Sequence, residues 1–227
     1  MSATENTPTR GQRRKLETRR RLLEAAMDLM SQKGMEGVAI NEITEAADVG
    51  FGTFYNHFES KEAIFNALMD EVFETFGDTI DELVADVEDP AKVLAFSVRY
   101  TLLRAQKEPK WGRFLLQEGL SAQSLVRGLG RRMFRDITEG AEAGRLLAPD
   151  LYMSVISTGG IVLASIAAAI VESNPDGAEA QLVNSLGFQS GGIAERSACA
   201  ILKNLGIAEE EALEIANAPF PANPNPV

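Results

Sequence analysis

One cysteine and one histidine in 227 residues leave little for metal binding or nucleophilic catalysis. The single thiol, Cys199, cannot close an internal disulfide, which suits a reducing cytoplasm, and its ordinary role is that of a small core residue. His57 has no second histidine with which to hold a metal. Gly-x-Ser-x-Gly, a Walker-type glycine loop and His-Glu-x-x-His are all missing. No enzyme, metal or cofactor is therefore expected. The opening MSATENTPTRGQRRK lacks the apolar stretch of a secretory signal. The longest apolar run, residues 161–171 broken by Ser165, is shorter than the roughly 18 residues that suggest a membrane span, so a buried helix and no membrane are expected. Strand-like alternation is absent over any useful length, which leaves an all-α fold.

What charge there is sits unevenly. The net charge is −11, yet Arg10, Arg13, Arg14, Lys15, Arg19, Arg20 and Arg21 lie together with a single acid, Glu17. An acidic body with a basic N-terminal edge can hold one face on DNA while repelling it elsewhere. A solvated basic tail gives the same pattern.

Residues 1–12 carry Pro8 and Gly11 and read as a disordered arm. From 13 to 33, Leu22, Ala25, Ala26 and Leu29 recur at helical spacing, and Gly34 stops the helix. Ile40, Ile43 and Ala47 mark a short second helix, and Asp48-Val49-Gly50 a tight turn. A third short helix is expected over 51–57. Ser60 caps a long fourth, with Ile64, Leu68, Val72, Phe76, Ile80, Leu83 and Val87 on one face. Asp89-Pro90 opens a helix ending near 107, and further helices are expected around 111–119, from 121 to about 140, and from 150 to 171. Over 178–204 the tendency is helical, but Gly187, Gly191 and Gly192 imply a break or close packing. The proline-rich end, 218–227, cannot continue a helix and reads as a flexible tail.

Three short helices followed by a long one suggest a helix-turn-helix head over 13–60. In such a head the second helix of the motif enters the major groove. Phe54 and Phe58, four apart, can face the core and leave Gly52, Thr53, Asn56 and His57 outward. Gly52 and Thr53 are then expected against base edges, and Tyr55, His57 and Lys61 at phosphates. Asn41, Phe51, Arg13 and Arg14 complete the candidate DNA-binding set; the arginine pair can reach the minor groove or simply be solvated. Phe54 and Tyr55 can also serve as ordinary core aromatics.

The stretch INEITEAADVGFGTFYNHFESKEAIF resembles the TetR family signature at Gly52, Thr53, Phe54, Tyr55, His57, Phe58, Ser60, Lys61 and Glu62. Upstream, Ala25-Ala26, Gly34, Ile40, Ile43, Ala47 and Val49 fit as well, so the likeness covers about 15–70. Three positions depart from it. Ala39 stands where a capping hydroxyl is common, leaving Glu42 as half of a capping box; Asp48 replaces a glycine; Gly50 replaces a serine.

The resemblance implies that 61–217 is a helical ligand-binding and dimerisation domain. It also implies a homodimer on a palindromic double-stranded operator, released by a small-molecule effector in the cytoplasm. Repression is the family's common mode; an activator, or a helical carrier without DNA binding, is the alternative. Phe73, Phe76, Phe96, Tyr100, Trp111, Phe114, Met133, Phe134 and Tyr152, with Arg99 and Gln117 among them, are the candidate ligand-binding residues for a largely apolar molecule; each can equally be plain core. The small-residue helix with Gly159, Gly160, Ala164, Ala167 and Ala168, together with the last long helix, is the candidate dimer face.

Overall fold

The structure, a computed structural model, describes residues 9–119, 128–186 and 191–221. It divides into two compact units, Met1–Met69 and Asp70–Val227. Every regular element among the described residues is helical.

The first unit holds α1 (Arg10–Lys33), α2 (Ile40–Ala46), α3 (Phe51–Phe54) and α4 (Lys61–Met69). α1 starts inside the segment expected to be disordered. Thr9 and Gln12 form a reciprocal capping box there: the Gln12 N–H donates to Thr9 Oγ1 at 3.3 Å and the Thr9 N–H to Gln12 Oε1 at 2.7 Å. Leu22, Ala26 and Met30 form its buried stripe, and Ile43, Ala47, Phe54, Phe58, Ile64 and Leu68 are also buried in this unit. α3 is shorter than 51–57; after Phe54 the chain passes through turns, with the His57 and Phe58 N–H groups both donating to the Phe54 carbonyl at 2.9 Å.

The second unit opens with a π-helical turn, Asp70–Thr75, followed by α5 (Phe76–Val84), α6 (Pro90–Lys107), α7 (Pro109–Gly119) and α8 (Gly128–Glu142). After these come α9 (Leu151–Glu172), α10 (Ala178–Ser185), α11 (Ile193–Asn204) and α12 (Glu209–Asn217). The π turn buries Val72 and Phe73 ahead of Phe76, continuing the apolar face of α4 into α5. α6 is central, packing against α5, α7, α8, α9, α11 and α12. Asp89 caps it, its carboxylate accepting from the Ala91 N–H at 3.0 Å, and Asp150 caps α9 by accepting from the Met153 N–H at 3.1 Å. The glycine-rich stretch does divide: Gly191 and Gly192 take left-handed φ of 89° and 67° before α11. Gly187, and the expected helix start at 121, lie outside the described residues.

α9 corrects the reading of residues 161–171. Its serines, threonine and glycines interrupt the apolar run without adding charge, so the 22-residue helix is long and apolar enough to cross a membrane by length and composition. It is also not the buried helix expected, for only 28% of its apolar window is buried. Tyr152, Met153 and Ile156 are exposed on it.

The tail is held at its start. Arg99 Nη1 donates to the Ala218 carbonyl at 2.6 Å, and the guanidinium lies 4.5 Å from the Phe220 ring centroid, which also packs on Phe96 at 5.6 Å. Residues 222–227 lie outside the described set. Phe220→Ala is expected to lower stability by about 1–2 kcal/mol, less than the 3–5 for a fully buried phenylalanine, because Phe220 is half-buried. Thermal melts of the two full-length chains measure it.

Candidate functional site

In the first unit, the turn between α2 and α3 decides what α3 presents. Asp48 adopts a left-handed φ of 49°, which aspartate tolerates better than most residues. The Val49 N–H then reaches back to the Thr44 carbonyl at 3.0 Å, and the Gly50 carbonyl accepts from the Thr53 N–H at 2.8 Å as α3 begins. Ala39 makes no side-chain cap on α2, but its N–H donates to Glu42 Oε2 at 2.9 Å, the half box expected. Phe54 and Phe58 are buried with their rings 5.8 Å apart.

With Phe54 fixed inward, Phe51, Gly52, Tyr55 and Asn56 are exposed and Thr53 half-buried. Phe51 and Tyr55, 55% and 50% exposed, pair edge-on at 5.6 Å. A Cβ on Gly52 would meet nothing within 4 Å. This is the low, mixed front of bare backbone, methyl, amide and aromatic edge that a groove can accept.

Lys61 is the first residue of α4, which Ser60 caps by accepting from the Ala63 N–H at 3.2 Å. Its ammonium is 3.9 Å from the Glu36 carboxylate, a loose pair. Burial, then the charges of Lys15 and Arg19 on α1, pull the His57 pKa below its ordinary value, so the ring is neutral at pH 7. Its Nδ1 is buried without a hydrogen-bond partner among the described residues. The sequence names Lys15 and Arg19 in the basic N-terminal edge but does not set them beside His57; their i,i+4 spacing on α1 was the available signal. Arg13, Arg14 and Asn41 are exposed.

In the second unit, a cavity of about 320 Å³ lies among the π turn and α5 to α9. Phe73, Leu94, Val98, Leu115, Met133 and Ile166 form much of its apolar wall, with Ser97, Thr101, Arg132 and Asp136 as polar groups. The Ser97 and Thr101 hydroxyls already donate, each at 2.8 Å, to the Val93 and Ser97 carbonyls. Arg132 is committed to acids: Nε donates to Asp81 Oδ2 at 2.7 Å, Nη1 to Glu74 Oε2 at 3.1 Å, and Nη2 to Asp78 Oδ1. Gly77 leaves room for this guanidinium, since a Cβ there would collide with it.

Asp136 is 7% exposed, and its Oδ1 accepts from Arg135 Nε at 2.9 Å. Burial raises its pKa above the usual carboxyl range, against the pull of Arg135. The wall thus offers one buried carboxyl paired with Arg135, whose Nη2 is 2.8 Å from Oδ1, which suits a hydroxyl donor and disfavours a second carboxylate.

Of the residues named from sequence, Phe73 and Met133 lie on this wall. Phe76 stacks on Tyr100 at 5.6 Å and meets Trp111 edge-on at 4.7 Å, a packed cluster that does not line the cavity. Phe96 and Arg99 hold Phe220. Phe114 is fully buried, while Gln117, Phe134 and Tyr152 are exposed. The cavity meets α7 at Leu115 and Gly119 rather than at Trp111. Arg132 and Asp136 were missed; two charges at i,i+4 beside Leu129, Met133 and Ile137 were the available signal.

Residues 22–68 match the description of bacterial regulatory proteins of the tetR family. Residues 89–218, more than half of the chain, match the tetracyclin repressor-like C-terminal domain. The chain belongs to the TetR family. Members of this family are ligand-responsive transcriptional regulators that bind DNA operators and typically dimerise. The TetR-family repressor DhaR of Mycobacterium sp. (strain GP1) is 39% identical over 72 residues, 32% of this chain and 36% of its own length. The A-factor receptor protein of Streptomyces griseus is 38% identical over 94 residues, 39% of this chain and 33% of its own. The chain thus spans about a third of the length of these two relatives. The crystal structure of RolR in complex with resorcinol superimposes with a TM-score of 0.62 at 32% identity, over 92% of this chain and 97% of that one.

Proposed function

We propose that this TetR-family chain is a repressor released from a palindromic operator by a small, largely apolar aromatic molecule carrying a hydroxyl group. The observation that carries the ligand class is Asp136, a buried carboxyl on a mostly apolar cavity wall. RolR, similar over nearly its whole length, is known with a dihydroxybenzene bound. A hydroxyl donating to Asp136 adds to the pairing that its carboxylate already has with Arg135.

On the DNA side, Gly52 and Thr53 meet base edges while Tyr55, His57 and Lys61 touch phosphates. Arg13, Arg14, Asn41, Phe51 and Asn56 flank them. The exposed apolar side of α9 takes a second copy, so that two heads read two half-sites. Work on the chromosome places the dimer in the cytoplasm. For release, the ligand must favour the conformation that leaves DNA, since equal affinity for both states shifts nothing.

Thermal melts with resorcinol, phenol and benzoate test the ligand class. A hydroxylated aromatic at a hundred times its Kd should raise the melting temperature by about 5 °C or more. Asp136→Ala should lose that shift yet still bind a duplex enriched from a random pool by the unaltered chain. A shift with benzoate alone, or an undiminished shift in Asp136→Ala, would overturn the assignment.

A further inference from the structure

The DNA-binding surface depends on a turn, and one α1 side chain reaches across to that turn. Arg21 Nη2 donates to the Ala47 carbonyl, to the Asp48 carbonyl at 2.9 Å and to Asp48 Oδ2 at 3.2 Å. Nη2 has two hydrogens, so the three acceptors share them. Ala47 is the C-cap of α2, where carbonyls lack helical partners and a cation is favoured. Asp48 is the residue with φ of 49° that turns the chain from α2 into α3. The Asp48 side chain is 99% exposed, so its carboxylate adds little, and the two carbonyl contacts do the holding.

Neighbouring Arg20 behaves differently. Its guanidinium is tied to Glu17 and Glu24 on α1 itself. Adjacent arginines of one basic run therefore do different work, a distinction that charge counting cannot make.

We infer that Arg21 is a positioning residue for DNA reading: it fixes the α2–α3 turn, and through it the pose of Gly52 and Thr53, without itself touching DNA. This rests on the DNA-binding reading above. A group that acts through the turn affects the discrimination between sequences. A phosphate contact instead weakens binding to all sequences and lowers the salt slope.

The test uses the full-length chain with Arg21→Met, which keeps the aliphatic stem but no donor, and Arg20→Met, which removes an equal charge. Without DNA, hydrogen exchange at the Val49 and Thr53 amides should quicken by about tenfold in Arg21→Met only, with Ile64 and Leu68 unchanged. With a duplex enriched from a random pool by the unaltered chain, Arg21→Met should cut the preference over a scrambled duplex by about tenfold and leave the salt slope unchanged. A slope lower by about one unit would make Arg21 a phosphate contact and overturn the proposal. Unchanged exchange at Val49 and Thr53 would overturn it too. If the unaltered chain enriches no duplex, the DNA-binding reading falls and the proposal with it, whatever the exchange shows.

Discussion

Arg132→Ala is expected to cost the second unit about 2–4 kcal/mol at neutral pH. The change leaves Glu74, Asp78 and Asp81 facing the space that one guanidinium filled. The figure sits below that of a fully buried pair for two reasons. The Glu74 and Asp78 side chains are 40% and 69% exposed, and Arg135 still reaches Asp81 at 2.7 Å.

Burial pushes the Glu74 and Asp81 carboxyls up, but bonds from Arg132, with the Gly128 N–H for one and Arg135 for the other, outweigh it and hold both below their ordinary pKa. Such groups contribute stability that is present above the unfolded pKa of about 4 and is lost as pH falls through the lowered folded values. The gap between the unaltered chain and Arg132→Ala should therefore be widest at pH 7 and close in acid. Denaturant melts at pH 7 and pH ~3 measure it. A gap of equal size at both would assign the loss to the packing of the arginine stem instead of its charge.

Gly52→Glu should leave the first unit folded and reduce affinity for an enriched duplex by about a hundredfold or more. Space for the side chain exists, since a Cβ there meets nothing within 4 Å, and glycine is the weaker helix former. The loss comes from a carboxylate brought into the groove between phosphates. Gly52→Ala, without the charge, should lose much less. Fluorescence anisotropy with labelled duplex, alongside circular dichroism to check the fold, separates the outcomes. Undiminished affinity in Gly52→Glu would mean that α3 does not enter the groove.

Local chemistry was readable in the sequence where it was self-contained. Asp89-Pro90, Asp150 and Ser60 act as caps because a short polar side chain reaches amides only two or three residues away. Asp48 takes its left-handed φ because aspartate tolerates that region, with Arg21 of α1 bonded to its carbonyl at 2.9 Å. α1 starts earlier than Pro8 and Gly11 suggest because Thr9 and Gln12 form a capping box and one interior glycine costs only about 1 kcal/mol. The π turn was hidden because one extra residue in a turn barely alters a 3.6-residue pattern.

The cavity wall was less legible still. Aromatics advertise themselves in a sequence, and here Phe76, Tyr100 and Trp111 fill space by packing on one another. Open volume arises between helices distant in sequence, as at Gly160, where a Cβ would meet nothing within 4 Å. That is a property of shape, which no single segment encodes.

Trp111 is the chain's one tryptophan and is 2% exposed, packed edge-on against Phe76 with the Arg104 guanidinium 4.9 Å from its ring. It belongs to the second unit, so the first carries no indole chromophore. Fluorescence excited at the indole band therefore follows the melting of the larger unit alone, while far-ultraviolet dichroism sums over both. If the head melts before the body, the two signals part company, and their separation gives the independence of the units directly from an unlabelled chain.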